Sequence, residues 1–145
     1  MPDLKAVLAI FNLALLLCLG IGSTGAMAAN DELELPEGML AADELVARFS
    51  DQTVESVTAI RGRISLSYYA PTGEIRQERN GRERFGRWRV TESNRICLQM
   101  ENLPEKCRII VKDGDDYKKY IVRKNGQHQH SVSYRKFYRG NPFGL

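Results

Sequence analysis

Apolar residues recur in two rhythms along this chain. Between residues 40 and 50 they fall at Ala42, Leu45, Val46 and Phe49, the spacing of one face of an α-helix. Asp43 and Glu44 stand near the start of that stretch and Arg48 near its end, as the helix dipole favours. After Asp51 the rhythm shortens to two. Thr53 to Ala59 is β-branched, and Arg63 to Ala70 alternates, with Ile64, Leu66 and Tyr68 on one face and Arg63, Ser65, Ser67 and Tyr69 on the other. Further strands are predicted over 74–79, 82–91, 95–100, 106–112, 116–123 and 129–138. Turn residues separate them: Pro71-Thr72-Gly73, Asn80-Gly81, Glu92-Ser93-Asn94, a loop with Asn102 and Pro104, Asp113-Gly114-Asp115 and Asn125-Gly126. Gly140-Asn141-Pro142 ends the last strand.

About eight strands joined by such short connections cannot form parallel crossovers, so an antiparallel meander follows. Closure into a barrel would remove its exposed edges. The expected fold is therefore mainly β, a single antiparallel barrel of about eight strands with one short N-terminal helix that lies on the sheet or plugs a barrel end. The segment 82–91, RERFGRWRVT, is placed near its middle and holds the only tryptophan. Trp88 and Val90 share a face with Gly86, whose missing side chain lets a backbone or a ring come close.

The start of the chain reads differently. An apolar run from Ala6 to Ile21 gives way to small residues and an Ala26-x-Ala28 site, the pattern of a secretory signal peptide cleaved after Ala28. Residues 29–39 are acidic, carry Pro36 and read as a flexible lead-in, which leaves 40–145 as one domain with no stable membrane span. The periplasm or the exterior of the cell is the expected location. Cys18 would leave with the signal, so Cys97 and Cys107 remain as a pair expected to form a disulfide. The alternation conflicts with that bond. Ile96, Leu98 and Met100 share one face and leave Cys97 on the other, whereas Cys107 shares a face with Ile109 and Val111. The bond therefore requires a bulge, or a strand whose apolar pattern is broken.

Charge is unevenly spread. Residues 29–60 hold eight acidic side chains against Arg48 alone, and 61–145 hold nineteen basic against nine acidic. The basic body would attract anions. Arginines around Phe85 and Trp88 could in principle stack and pair with a single-stranded nucleic acid, but an exported chain rarely meets one, and no nucleic-acid partner is expected. His128 and His130 share a strand face without an evident third ligand. The sequence Asp113-Gly114-Asp115-Asp116 lacks the acid that closes a calcium loop, since the twelfth position is Lys124. No metal or cofactor is expected. The chain has no nucleophile elbow, no zinc-protease helix and no phosphate loop, so a catalytic site is not expected either.

Taken together, Tyr68-Tyr69-Ala70-Pro71-Thr72-Gly73, Gly86-Arg87-Trp88-Arg89-Val90, Ile96-Cys97-Leu98, Glu105-Lys106-Cys107, Gly114-Asp115-Asp116-Tyr117 and Gly140-Asn141-Pro142 resemble a family of small bacterial exported domains of unknown function. The resemblance covers roughly Leu40 to the end. It implies an envelope location and a lipocalin-like meander, with the Gly-x-Trp on about the fourth strand where lipocalins have it on the first, and it implies no reaction. Two functions compete. One is a binding module for a small amphiphile or an anionic envelope component, with an apolar interior lined by Tyr68, Trp88 and Tyr134 and with Arg87 and Arg89 near the strand ends. The other is an interaction or inhibitor module that grips an envelope protein with its basic outer strands; a monomer is expected in either case.

Overall fold

The computed structural model describes residues 35–145, so the leader read over 1–28 and residues 29–34 lie outside the described part. One helix, α1 (Ala42–Phe49), precedes eight strands: β1 (Gln52–Thr58), β2 (Ile64–Tyr69), β3 (Glu74–Arg79), β4 (Arg82–Thr91), β5 (Arg95–Met100), β6 (Lys106–Asp113), β7 (Asp116–Val122) and β8 (His128–Arg139). Each pairs antiparallel with the next, and β8 returns to β1, which closes the barrel. The turns follow their residues. Asn80 and Gly81 both take positive φ, 54° and 71°, the two-residue reversal whose twist matches the strands it joins.

The helix closes one end. Its first turn is capped from a distance: the Ala42 N–H donates to Asn94 Oδ1 at 2.8 Å, from the β4–β5 turn, and the Ala41 N–H donates to Glu44 Oε2 at 2.8 Å. Leu45 and Phe49 are fully buried. The Phe49 ring meets Tyr69, Tyr134 and Phe137 edge-on, at centroid distances of 5.1, 5.1 and 5.6 Å. Val46, part of the expected apolar stripe, faces solvent instead, because so short a helix inserts into the barrel end along the single line of Leu45 and Phe49.

Trp88 joins this layer, edge-on to Tyr69 at 5.4 Å, and its Nε1–H donates to the Ala70 carbonyl at 2.8 Å. Its own backbone N–H donates to the Gly73 carbonyl, so the β2–β3 turn is tied to β4 twice. Two residues earlier, the backbone of β5 passes so close to Gly86 that a Cβ there would sit 2.8 Å from Met100 Cα. The glycine is needed for that approach.

Two expectations are corrected, and one conflict is resolved. Residues 36–39, read as a flexible lead-in, dock on β6: Met39 bridges Val111, the Leu40 N–H donates to the Ile110 carbonyl, and the Lys112 N–H donates to the Gly38 carbonyl. They occupy the stretch of β6 beyond its short pairing with β5, which would otherwise be an open edge.

The second correction concerns β2, whose facing is the reverse of the apolar pattern. Tyr69 must point inward to meet Phe49 and Trp88, and the period of two then carries Ser65 and Ser67 inward with it. Tyr68 lies on the outer face, where its hydroxyl donates to Asp51 Oδ1 at 3.1 Å.

The disulfide conflict resolves as the broken pattern and not as the bulge. Cys97 and Cys107 are bonded and directly opposed in a register with no bulge. The broken pattern belongs to β6, whose Cys107, Ile109 and Val111 lie on the outer face, Ile109 and Val111 buried there all the same, while Arg108, Ile110 and the more exposed Lys106 lie on the inner one.

Candidate functional site

The inside of the barrel has two unlike halves. Toward α1 it is packed solid by Leu45, Phe49, Val54, Ile75, Trp88, Ile96 and Ile110. Beyond the Tyr69 and Tyr134 rings lies a cavity of about 330 Å³. At ~30 Å³ per water-sized group, that is room for roughly eleven such groups.

Sequence alternation builds the wall of this cavity. On β3, Ile75 packs with the aromatic layer, so Gln77 and Arg79 also face inward, opposite the inward serines of β2. Gln77 Nε2 donates to Ser67 Oγ at 2.9 Å and Arg79 Nε donates to Ser65 Oγ at 2.7 Å. Arg84, across the hairpin on β4, donates from Nη1 to Gln77 Oε1 at 3.3 Å. Lys106 comes from the start of β6 and Lys119 from β7, while Leu98, Met100, Leu103, Pro104 and Val132 supply an apolar side. The loop between β5 and β6, with Leu103 and Pro104, lies at the mouth opposite α1.

Two irregularities in β8 shape the remaining wall. Its pairing with β1 slips between Glu55 and Ser56, leaving Arg135 extra, and its pairing with β7 slips between Lys119 and Tyr120, leaving Ser131 extra. Such bulges re-aim side chains. Here the first lets Tyr134 and Phe137 both face the interior, and the second lies where Lys119 lines the cavity, with Ser131 Oγ donating to the Lys119 carbonyl at 3.0 Å.

The electrostatics are one-sided. Arg79, Arg84, Lys106 and Lys119 line the cavity, and no carboxylate does. Arg108 adds a fifth positive charge close enough to act on Lys119. The ion pairs of the described residues, Arg89 with Glu105 and Lys118 with Asp113, involve none of the five. Burial pushes the Lys119 ammonium down to about 8, and Arg108 and Arg79 add to the effect. Burial also lowers Arg79, with Arg84 and Arg63 contributing, and lowers Arg108. Tyr134 Oη is buried beside the Tyr69 hydroxyl without a well-aligned hydrogen bond, and burial, reinforced by Tyr69, raises it well above the ordinary tyrosine value. Lys119 Nζ sits 5.4 Å from the centre of the Tyr134 ring.

Of the residues singled out from sequence, only Tyr134 lines this cavity. Trp88 belongs to the packed half, with its indole N–H already satisfied, and Tyr68 is outside. Arg87 is exposed on the outer face, and Arg89 there makes a two-pronged contact with Glu105, at 2.8 and 2.7 Å. The cationic lining of Arg79, Arg84, Lys106 and Lys119 was missed; the signal was the inward Ser65-x-Ser67-x-Tyr69 row, legible once Tyr69 rather than Tyr68 is assigned to the core.

The other chemical candidates stay apart from the cavity. His128 and His130 lie at the start of β8, with His130 Nε2 3.1 Å from Ser133 Oγ. Among the described residues the one close set of three potential metal ligands is Cys97, Glu105 and Cys107, and the disulfide occupies two of its sulfurs. Asp113 and Asp116 pair across a tight turn, where Lys118 Nζ meets Asp113 Oδ2 at 2.9 Å. No helix among the described residues is long and apolar enough to cross a membrane. No protein-family model matches this chain, and neither a curated protein nor a solved structure is significantly similar to it.

Proposed function

We propose that the protein is a non-catalytic binding module of the cell envelope that holds a small anionic amphiphile inside its barrel. The observation that carries this reading is the cavity of about 330 Å³ lined by Arg79, Arg84, Lys106 and Lys119 with no carboxylate among its lining residues. Arg79, Arg84 and Lys119 are half-buried without a counter-charge, which is costly, and an anion from solution removes that cost; Lys106, at the exposed start of β6, adds to the attraction. Leu98, Met100 and Val132 on the same wall accept an apolar tail. The size limits the ligand to a short chain or a single ring; a two-chain lipid does not fit.

Calorimetric titration of the full, disulfide-bonded chain with hexanoate, hexyl sulfate and hexyltrimethylammonium tests the proposal. The two anions are expected to bind one per chain and the cation not to bind. Arg79→Met combined with Lys119→Met should weaken anion binding at least tenfold, whereas Arg87→Ala with Arg89→Ala should leave it unchanged. Equal binding of anion and cation would reject the reading. Recovery from the envelope of a second polypeptide, released by the Arg87 and Arg89 substitutions, would favour a protein partner in its place.

A further inference from the structure

The pattern of charge and hydrogen-bond donors in the cavity narrows the ligand further. We infer, building on the anion-binding reading above, that the cavity is made for a phosphomonoester: a doubly charged tetrahedral headgroup on a short apolar tail. A single carboxylate would offset one charge and leave most of the set uncompensated, with Arg79, Arg84, Lys106 and Lys119 on the wall and Arg108 beside Lys119. A phosphate monoester near neutral pH carries close to two negative charges and three acceptor oxygens.

The donors are also held in place before any ligand arrives. Arg84 is held through Gln77 to Ser67, and Arg79 through Ser65, with Ser65, Ser67 and Gln77 each buried. Fixed guanidinium forks from two adjacent strands favour a headgroup that several donors can approach at once. A further donor stands on the wall. Tyr134 is 4% exposed and beside Lys119, and its hydroxyl lies next to that of Tyr69 without a well-aligned hydrogen bond. A buried hydroxyl so poorly satisfied is costly, and a headgroup oxygen would accept its hydrogen bond. The apolar side formed by Leu98, Met100, Leu103, Pro104 and Val132 is what separates an ester from free phosphate, which would leave that surface unfilled.

The test is a calorimetric comparison on the full chain of hexyl phosphate, hexyl sulfate, hexanoate and inorganic phosphate, at about pH 7.5 and about pH 5, on either side of the second phosphate pKa of ~6. Hexyl phosphate is expected to bind at least tenfold tighter than the two singly charged amphiphiles at the higher pH and, at the lower, to lose its advantage over hexyl sulfate, which keeps its single charge while a carboxylic acid such as hexanoate begins to protonate. It should also bind at least tenfold tighter than inorganic phosphate. Tyr134→Phe, which keeps the ring that packs on Phe49, should weaken hexyl phosphate by three- to tenfold with the melting temperature little changed. Arg79→Lys, which keeps the charge and loses the fork, should cost hexyl phosphate more than hexanoate. If hexanoate or hexyl sulfate matches hexyl phosphate, the double charge is wrong while the anion cavity stands. If inorganic phosphate matches it, the ester tail is wrong. If no anion binds, this inference and the anion-binding reading fall together.

Discussion

Lys119 concentrates the electrostatic cost of the cavity. Its ammonium is held down to about 8 by burial and by Arg108 and Arg79, against an ordinary lysine value of 10.5. Below pH 8 the side chain is charged in the folded and unfolded chain alike, and the full cost of burying that charge is present. Between about pH 8 and 10 the folded protein has released a proton that the unfolded chain still holds, so stability rises with pH. Above about pH 10 the sign reverses, because Tyr69, raised to about 12, and Tyr134 keep protons that the unfolded tyrosines give up. The melting temperature of the free protein should therefore climb from pH 8 to a maximum near pH 10 and then fall. Lys119→Met should remove the climb and raise stability at neutral pH; an unchanged profile in that variant would show that another group produces the climb. The groups facing Lys119 are Arg79 from β3, Arg108 from β6 and Tyr134 from β8.

At the scale of elements, the β5–β6 hairpin is the least supported by backbone pairing, with three residue pairs: Ile96 to Arg108, Cys97 to Cys107 and Leu98 to Lys106. The disulfide lies at the middle pair, and the loop beyond it brings Leu103 and Pro104 to the cavity mouth. Replacing both cysteines with serine should lower the melting temperature by roughly 8–12 °C, from ~2 kcal/mol of lost stabilisation. The same variant should speed release of hexyl phosphate without abolishing its binding; an unchanged release rate would show that this loop does not limit access.

Much of this architecture is written in local spacing. The helix, the eight strands, the Asn80-Gly81 reversal and the cysteine pair all follow from periods, turn residues and parity. The direction each strand faces does not. Alternation divides Tyr68 from Tyr69 without saying which is inside, and that is decided by the distant Phe49 and Trp88 rings. Ile109 and Val111 mislead in the same way, since they are buried as their character predicts but on the outer face of β6, which leaves the half-buried Arg108 on the inner one. The two bulges of β8 leave no mark in a single sequence, yet the cavity wall depends on them.

For the whole molecule, the meander means that seven of the eight strand pairings join neighbours in the chain and one, β1 with β8, joins its two ends. That last pairing is a seam. It is secured near α1 by Gly140, whose N–H donates to the Asp51 carbonyl at 2.7 Å and whose carbonyl accepts from Thr53 Oγ1 at 2.6 Å. The cavity crosses the seam farther along, with Ser56 on one side of it and Val132 and Tyr134 on the other. A ligand there touches both edges and acts as a clasp that a partly unzipped barrel does not possess. Loop closure between distant strands is the slow step of such topologies, so the ligand should leave the refolding rate unchanged. Unfolding should slow by about 100-fold at a ligand concentration 100 times the dissociation constant, since the whole stabilisation falls on the native side of the barrier. Stopped-flow measurement with and without hexyl phosphate would show it. Acceleration of refolding instead would mean that the seam closes early and that the clasp forms before the barrel is complete.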